Sequence, residues 1–298
     1  GHRYYLQFVD EPLQAVDYQR WRARPERVRE LFPKARLVGA KFGVVLVHRS
    51  GHDIEVATFR SDGTYSDGRR PDQVTFGDQR EDALRRDFTI NGLFYDPFAN
   101  QVIDYVSGQA DLQAHVIRTI GEPDFRFAED HLRMLRAVRL SARLGFTIDP
   151  LTAAAISRLS SNLRTISPER VWMELEQILT EPTRSEGWRL LNALGLRAHL
   201  SPEWSIDAKA DSLADRRLNA LPLETVEAGL VLAAALSDTP LSLVEAICRS
   251  LRLSNQLTDQ VLWMKKNLEA AHRAESLELA DFKPLRASPY WISLLELL

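Results

Sequence analysis

Cysteine is almost missing from this 298-residue chain. Cys248 stands alone, which excludes an internal disulfide and any zinc site built on a cysteine cluster. Charge of one sign is also missing. The formal net charge is −3, so the chain as a whole is no polycation, and any nucleic-acid contact must come from local basic patches. No apolar run approaches the roughly 20 residues that a membrane span requires. The first residues, Gly1-His2-Arg3-Tyr4-Tyr5, hold no apolar secretory core, and a cytoplasmic location is the expectation. What remains is an ordinary globular composition, 45% hydrophobic and 27% charged, in a chain long enough for two domains.

The pattern changes character along the chain. From about residue 36 to 120 it is strand-rich. Leu37-Val38-Gly39 and Val44–Val47 are apolar and β-branched, and the Ser50-Gly51-His52-Asp53 cluster predicts a hairpin turn. Asp53–Phe59 alternates, with Ile54, Val56 and Thr58 on one side and Asp53, Glu55 and Ala57 on the other. Ser61–Gly77 reads as one long loop. From about residue 122 the spacing of apolar residues turns helical, with segments predicted over 151–163, 168–179, 185–194, 224–236, 241–251 and 256–271. Ser167-Pro168 reads as an N-cap followed by proline at the first helical position. Lys283–Pro289, with two prolines, predicts a turn. The apolar pattern of Trp291–Leu298 has no cap, which points to truncation. Strands first and helices afterwards predict a small α+β head on a helical body.

Two charged segments carry the chemistry. Arg85-Arg86-Asp87-Phe88-Thr89-Ile90-Asn91-Gly92-Leu93-Phe94-Tyr95-Asp96-Pro97 opens with paired arginines, whose forked donors suit phosphate oxygens. Asp87 and Asn91 lie one turn apart if a helix begins there. Further on comes Glu129-Asp130-His131-Leu132-Arg133-Met134-Leu135-Arg136-Ala137-Val138-Arg139. At about 100° per residue, Asp130, Arg133 and Arg136 share a sector of about 120°, opposite Leu132, Leu135, Val138 and Ala142. Arg139 drifts toward the apolar side, to face a neighbouring element or a phosphate. Upstream, Asp53-Ile54-Glu55 sets two carboxylates on one face of a strand, about 7 Å apart.

In this order the segments resemble the class II tRNA nucleotidyltransferase and bacterial poly(A) polymerase family. The resemblance runs from about Ala23 to Leu194 and is most specific from Gly39 to Phe146. It implies a nucleotidyltransferase head of small mixed sheet with helices over residues 1–121. A helical neck over 122–182 and a helical body over 183–298 follow. The implied reaction is addition of C and/or A to the 3′ end of tRNA from CTP and ATP, without a nucleic-acid template, releasing pyrophosphate. Poly(A) addition, or addition of CC or A alone, is the alternative within the family. The resemblance implies Mg²⁺, with Glu55 as the third carboxylate of the metal site and Asp53 beside it. It implies that Arg85, Arg86, Asp87 and Asn91 hold the triphosphate end and that Asp130, Arg133, Arg136 and Arg139 form the base-reading helix. There a carboxylate accepts from the exocyclic amine of C or A while an arginine donates to the adjacent ring nitrogen. Gly39–Gly43 looks like the family's turn before the second strand, and Asp67-Gly68-Arg69-Arg70-Pro71 like its mobile loop. No accessory phosphohydrolase domain is expected.

The N-terminus departs from the pattern. The family's Gly-Gly-x-Val-Arg-Asp turn does not occur in it. Where Asp-x-Asp belongs, the chain reads Asp17-Tyr18-Gln19, so Asp17 is a weak candidate metal ligand and Gln19 lacks the charge for a second. A catalytically impaired RNA-binding relative is therefore the reading from a different class, and a truncated N-terminus the favoured explanation.

Overall fold

A computed structural model describes residues 25–38, 43–49, 51–63, 73–204, 208–224 and 226–298. Asp17, the Gly39–Gly43 turn up to Gly43 itself, and the Asp67–Pro71 loop lie outside the described residues. The fold is a mixed head of small sheets and helices followed by helices, the α+β class expected. It forms two compact units: residues up to Ala114 together with Arg118–Asp130, and His115–Ile117 together with His131–Leu298.

Among the described residues the first unit begins with helix α1 (Pro25–Leu31). An antiparallel sheet follows in the order β1 (Arg36–Leu37), β2 (Val44–Arg49), β3 (His52–Ala57). Arg49 pairs with His52 across a tight turn in which Gly51 sits at φ +78°, a conformation that a side chain would strain. Val45 and Val47 alternate onto one face, where they pack with Val28 of α1, Phe32, Ala35 and Val56. Strand β3 ends at Ala57; Thr58 is buried beyond it, and Phe59 stacks edge-on against Phe94.

The predicted long loop after Phe59 is different in the structure. Its ends pair as a hairpin, β4 (Arg60–Asp62) with β5 (Val74–Phe76), in which Asp62 faces Val74. The strands are only three residues each, β4 all polar and β5 Val-Thr-Phe, too short for an alternating pattern to announce them. Helix α2 (Gln79–Leu84) follows, then a single 3₁₀ turn (Thr89–Asn91), the hairpin β6 (Leu93–Asp96) and β7 (Gln101–Asp104), and helix α3 (Gly108–Ala114). Helix α4 (Pro123–Glu129), with proline at its start, completes the unit.

The second unit takes strand β8 (Val116–Ile117), which pairs in parallel with β9 (Thr147–Ile148), the two joined through α4 and α5 (Arg133–Leu144). Helices α6 (Pro150–Leu159), α7 (Pro168–Thr180) and α8 (Arg184–Ala193) follow the periodicity. Ser167 does cap α7 by position, with Pro168 next, though its hydroxyl makes no capping bond. Helix α9 (Ala208–Ala220) was not visible as an apolar stripe. Helix α10 (Ala228–Ala235) is apolar all round and buried from Gly229 to Ala235, packed against α7, α9 and α12 (Asn255–His272). Helix α11 (Leu241–Ser250) lies between them in sequence and packs on α12. The predicted turn at Lys283–Pro289 is largely helix α13 (Leu279–Ala287), with Pro284 inside it. Burial of Leu285 and the edge-on contact of Phe282 with Trp291, which starts α14 (Trp291–Glu296), outweigh the lost backbone bond.

Candidate nucleotide site

The carboxylates of β3 lie opposite the packed face of their sheet. Leu46 pairs with Glu55 and His48 with Asp53. Because Val56 turns toward α1, alternation sends Asp53 and Glu55 to the other side, and both are exposed. His48 Nδ1 and Asp53 Oδ1 are 2.8 Å apart, so Asp53 is tied to its cross-strand neighbour. The oxygen donors of Glu55 and Asp53 are of the hard type that Mg²⁺ takes. Among the described residues, however, no three His, Cys, Asp or Glu side chains converge as a metal-binding group. The described part of the site therefore fits the ion in donor type but not in number.

The arginine pair is built on α2. Asp78 caps this helix, its side chain accepting from the Glu81 amide while Glu81 reaches back to the Asp78 amide. That fixes the helix so that Asp82, one residue further on, points inward with only 1% of its surface exposed. Each oxygen of Asp82 takes one guanidinium. Arg85 donates to Oδ1 through Nε (3.0 Å) and Nη2 (2.6 Å), and Arg86 donates to Oδ2 through Nε (3.0 Å) and Nη2 (2.6 Å). Arg85 is held further: its Nε also donates to the carbonyl of Arg60, and its Nη1 lies 3.6 Å from Asp62. Arg60 in turn donates its amide to Asp82 Oδ1 and sits 3.0 Å from Asp62. A recess of about 270 Å³ opens beside this cluster, bordered by Asp62, Glu81, Arg85, Arg126 and Glu129.

Beyond the arginines the chain does not continue as a helix. Phe88 is extended and fully buried, and only then does the 3₁₀ turn form. The Asp87 and Asn91 side chains nevertheless meet: Asp87 Oδ1 accepts from Asn91 Nδ2 and from the Phe88 amide, both at 3.0 Å. The turn is anchored from below. Thr89 donates its hydroxyl to buried Asp111 (2.7 Å), which also takes Arg118 Nε. A Cβ on Gly108 would stand 2.2 Å from the Thr89 carbonyl, so only glycine permits this approach of α3 to the turn. Burial works to raise the Asp104 pKa, but the amides of Gln109, Val106, Gly108 and Ser107 together hold it below its ordinary value.

The predicted base-reading helix is broken. Asp130 is not on it: α4 ends at Glu129, Asp130 is extended (φ −154°, ψ 105°), and α5 starts at Arg133. Phe127 is buried in the first unit and Met134 and Leu135 in the second, so the segment serves two cores; periodicity alone does not register the break. Arg133 is buried at 8% exposure, because α5 is clasped by α7 and α8. Arg139 donates its Nε to Glu174 Oε2 of α7 (2.6 Å), and Arg136 lies 3.7 Å from the same carboxylate. Arg139 thus faces a neighbouring element.

Three carboxylates that order these groups escaped the sequence reading. Asp82 had a signal, since it stands three and four residues before the arginines it holds. Asp111 and Glu174 had none, lying 22 and 35 residues from their partners.

A mixed head carrying an arginine pair clamped on a buried aspartate, followed by a helical unit that begins with an arginine-rich helix, is the architecture of a nucleotidyltransferase head on a helical body. Residues 10–118 match the family described as "Poly A polymerase head domain", and residues 145–207 match "Probable RNA and SrmB- binding site of polymerase A". The CCA-adding enzyme of Geobacillus stearothermophilus is 44% identical over 179 residues, 60% of this chain and 44% of that protein. The CCA-adding enzyme of Latilactobacillus sakei is 38% identical over 223 residues, 73% of this chain and 55% of that protein. The crystal structure of the Bacillus stearothermophilus CCA-adding enzyme in complex with CTP superposes with a TM-score of 0.78 at 31% identity, over 93% of this chain and 66% of that one. The chain belongs to the poly(A) polymerase and tRNA nucleotidyltransferase family. It spans about half the length of the curated relatives it matches.

Proposed function

We propose that this chain is a template-independent RNA nucleotidyltransferase that adds C and A to the 3′ end of tRNA. In this reaction the RNA 3′-oxygen forms a bond to the α-phosphorus of CTP or ATP, the bond to the β-phosphate bridging oxygen breaks, and pyrophosphate leaves. The observation that carries the reading is the Asp82 clamp, which holds two guanidiniums side by side at the head of the Asp87–Asn91 turn. Arg85 and Arg86 answer the triphosphate charge, and Asp87 and Asn91 fix the turn beside it. Asp130 accepts from the exocyclic amine of C or A and Arg133 donates to the ring nitrogen, a pair that uracil and guanine repel. Arg136 and Arg139, gathered on Glu174, support Arg133 along α5. When bound, Mg²⁺ would activate the attacking oxygen and neutralise the leaving pyrophosphate, with Glu55, Asp53 and Asp17 as the candidate ligands. The match of residues 145–207 to an RNA-binding segment supports tRNA as acceptor, and a cytoplasmic location accompanies it.

The test uses the full chain, labelled CTP or ATP, and a tRNA transcript that stops before its terminal CCA. Addition limited to two C and one A supports the reading. A long A tract would make the chain a poly(A) polymerase, and products ending after CC, or adding A only to CC, would make it a partial enzyme. No incorporation of either nucleotide refutes the reading.

A further inference from the structure

We infer that Arg126 is a positioning residue for nucleotide selection: its guanidinium sets the base-reading Asp130 against the arginine pair that takes the triphosphate. The inference rests on the function proposed above and deepens it. Arg126 belongs to α4 and reaches three separate stretches of the first unit. Its Nε donates to the carbonyl of Ile120 (2.6 Å) and its Nη2 to the carbonyl of Leu84. Its Nη1 donates to both oxygens of Glu129, at 3.2 and 2.9 Å. Each acceptor stands next to a piece of the site. Leu84 closes α2 and directly precedes Arg85 and Arg86. Its carbonyl is among those that a helix end leaves without a partner inside the helix, and an arginine is a natural donor to it. Ile120 extends the tie, since its amide donates to the carbonyl of Asp87 (3.1 Å). Glu129 closes α4 and directly precedes the extended Asp130. One planar fork thus grips the residue before the phosphate pair and the residue before the base reader.

The place of Arg126 suits this role. Its side chain is 15% exposed and, with Arg85 and Glu129, borders the recess of about 270 Å³ beside the Asp82 cluster. A nucleotide joins its base to its triphosphate through one sugar, so holding both ends at once requires the two protein segments to keep one spacing. When that spacing slackens, each end still binds, but the gain from binding them together is lost.

The experiment measures binding of CTP and of inorganic tripolyphosphate to the full chain by calorimetry, at matched free Mg²⁺. Tripolyphosphate carries the charge of the triphosphate end but no base. Arg126→Lys keeps the positive charge but has no fork with which to reach three acceptors. It is expected to weaken CTP about tenfold and to leave tripolyphosphate within about twofold of wild type. Glu129→Gln keeps the shape of the side chain but loosens its charge-assisted grip on Arg126, so it should give the same pattern to a smaller extent. The double variant is expected to bind CTP no more weakly than Arg126→Lys alone. Damage that is merely structural would instead weaken both ligands in parallel or add across the two variants, and either result overturns the inference. Unchanged CTP affinity in Arg126→Lys overturns it as well. If Arg126→Lys does not fold, Glu129→Gln decides by the same comparison: a loss confined to CTP supports the inference, and an equal loss of both ligands, or none, refutes it. A wild-type chain that binds CTP but not tripolyphosphate defeats this inference alone, because no anchored phosphate end then exists to set the base against. A wild-type chain that binds no CTP defeats the proposed function with it.

Discussion

Glu174→Ala is the perturbation for which the structure sets the sharpest magnitude. The Glu174 side chain is 9% exposed and the Arg139 side chain 13%, and their atoms meet at 2.6 Å. Removing one partner of a buried pair typically costs about 3–5 kcal/mol, because the remaining charge is left uncompensated. Here the cost belongs at the low end, about 3 kcal/mol. Arg136 is 35% exposed and can turn to water when its more distant contact is lost, so only Arg139 is stranded. At roughly 2–4 °C per kcal/mol for a unit of this size, the melting temperature of the second unit should fall by about 6–12 °C. Urea denaturation followed by tryptophan fluorescence checks it, since Trp172 and Trp188 lie in that unit. Arg139→Met combined with Glu174→Met is expected to recover most of the loss, because both charges leave together. A Glu174→Ala protein within about 0.5 kcal/mol of wild type would refute the reasoning and reduce the contact to a surface ion pair.

Arg133→Ala should erase about 1–3 kcal/mol of discrimination between C and U, read as the ratio of CTP to UTP incorporation; unchanged selectivity would remove Arg133 from base reading. Asp104→Ala should cost about 1–2 kcal/mol at neutral pH, since its carboxylate caps the start of α3 through the Val106, Gly108 and Gln109 amides. Its folded pKa is depressed, so this stabilisation is present above the ordinary value of 3.8 and disappears as pH falls through the lower folded value. Denaturation at pH 7 and at pH 3 should show the wild-type and Asp104→Ala curves converging in acid. Burial pushes the Cys248 thiol up to about 11, so it should react with a thiol reagent at pH 8 only after denaturant is added; prompt labelling of the native chain contradicts that.

The parts of the fold that the sequence revealed are those governed by local pattern. The helices from Pro150 to His272, α9 excepted, follow apolar spacing, and the hairpin at Gly51 follows turn chemistry. What it hid depends on partners distant in the chain. The β4–β5 hairpin is made of two three-residue strands whose paired residues lie twelve to sixteen positions apart, so neither strand looks like one alone. Pro284 argues for a turn locally, and only the packing around Leu285 reverses it. At the candidate site, the arginines and Asp87–Asn91 stood out by type and order. The break at Asp130 did not, because apolar residues recur at helical spacing on both sides of it and the change of core leaves no mark on that spacing.

The short strand β8 has a consequence for how the chain is made. The polypeptide leaves the first unit at Ala114, spends His115–Ile117 in the second, returns for Arg118–Asp130, and departs again. During vectorial synthesis, the amides that lock the Asp87 turn, Thr89 to Arg118 and Ile120 to Asp87, close only when residue 120 has emerged. Val116 and Ile117 must then wait for Thr147 and Ile148 before their own parallel ladder exists. Neither unit can therefore be finished by the ribosome strictly before the other begins. A gene cut at any single codon between 114 and 131 would leave an orphan strand or an unlatched turn. The two units are separate as compact bodies but interleaved as sequence, and they are inherited together.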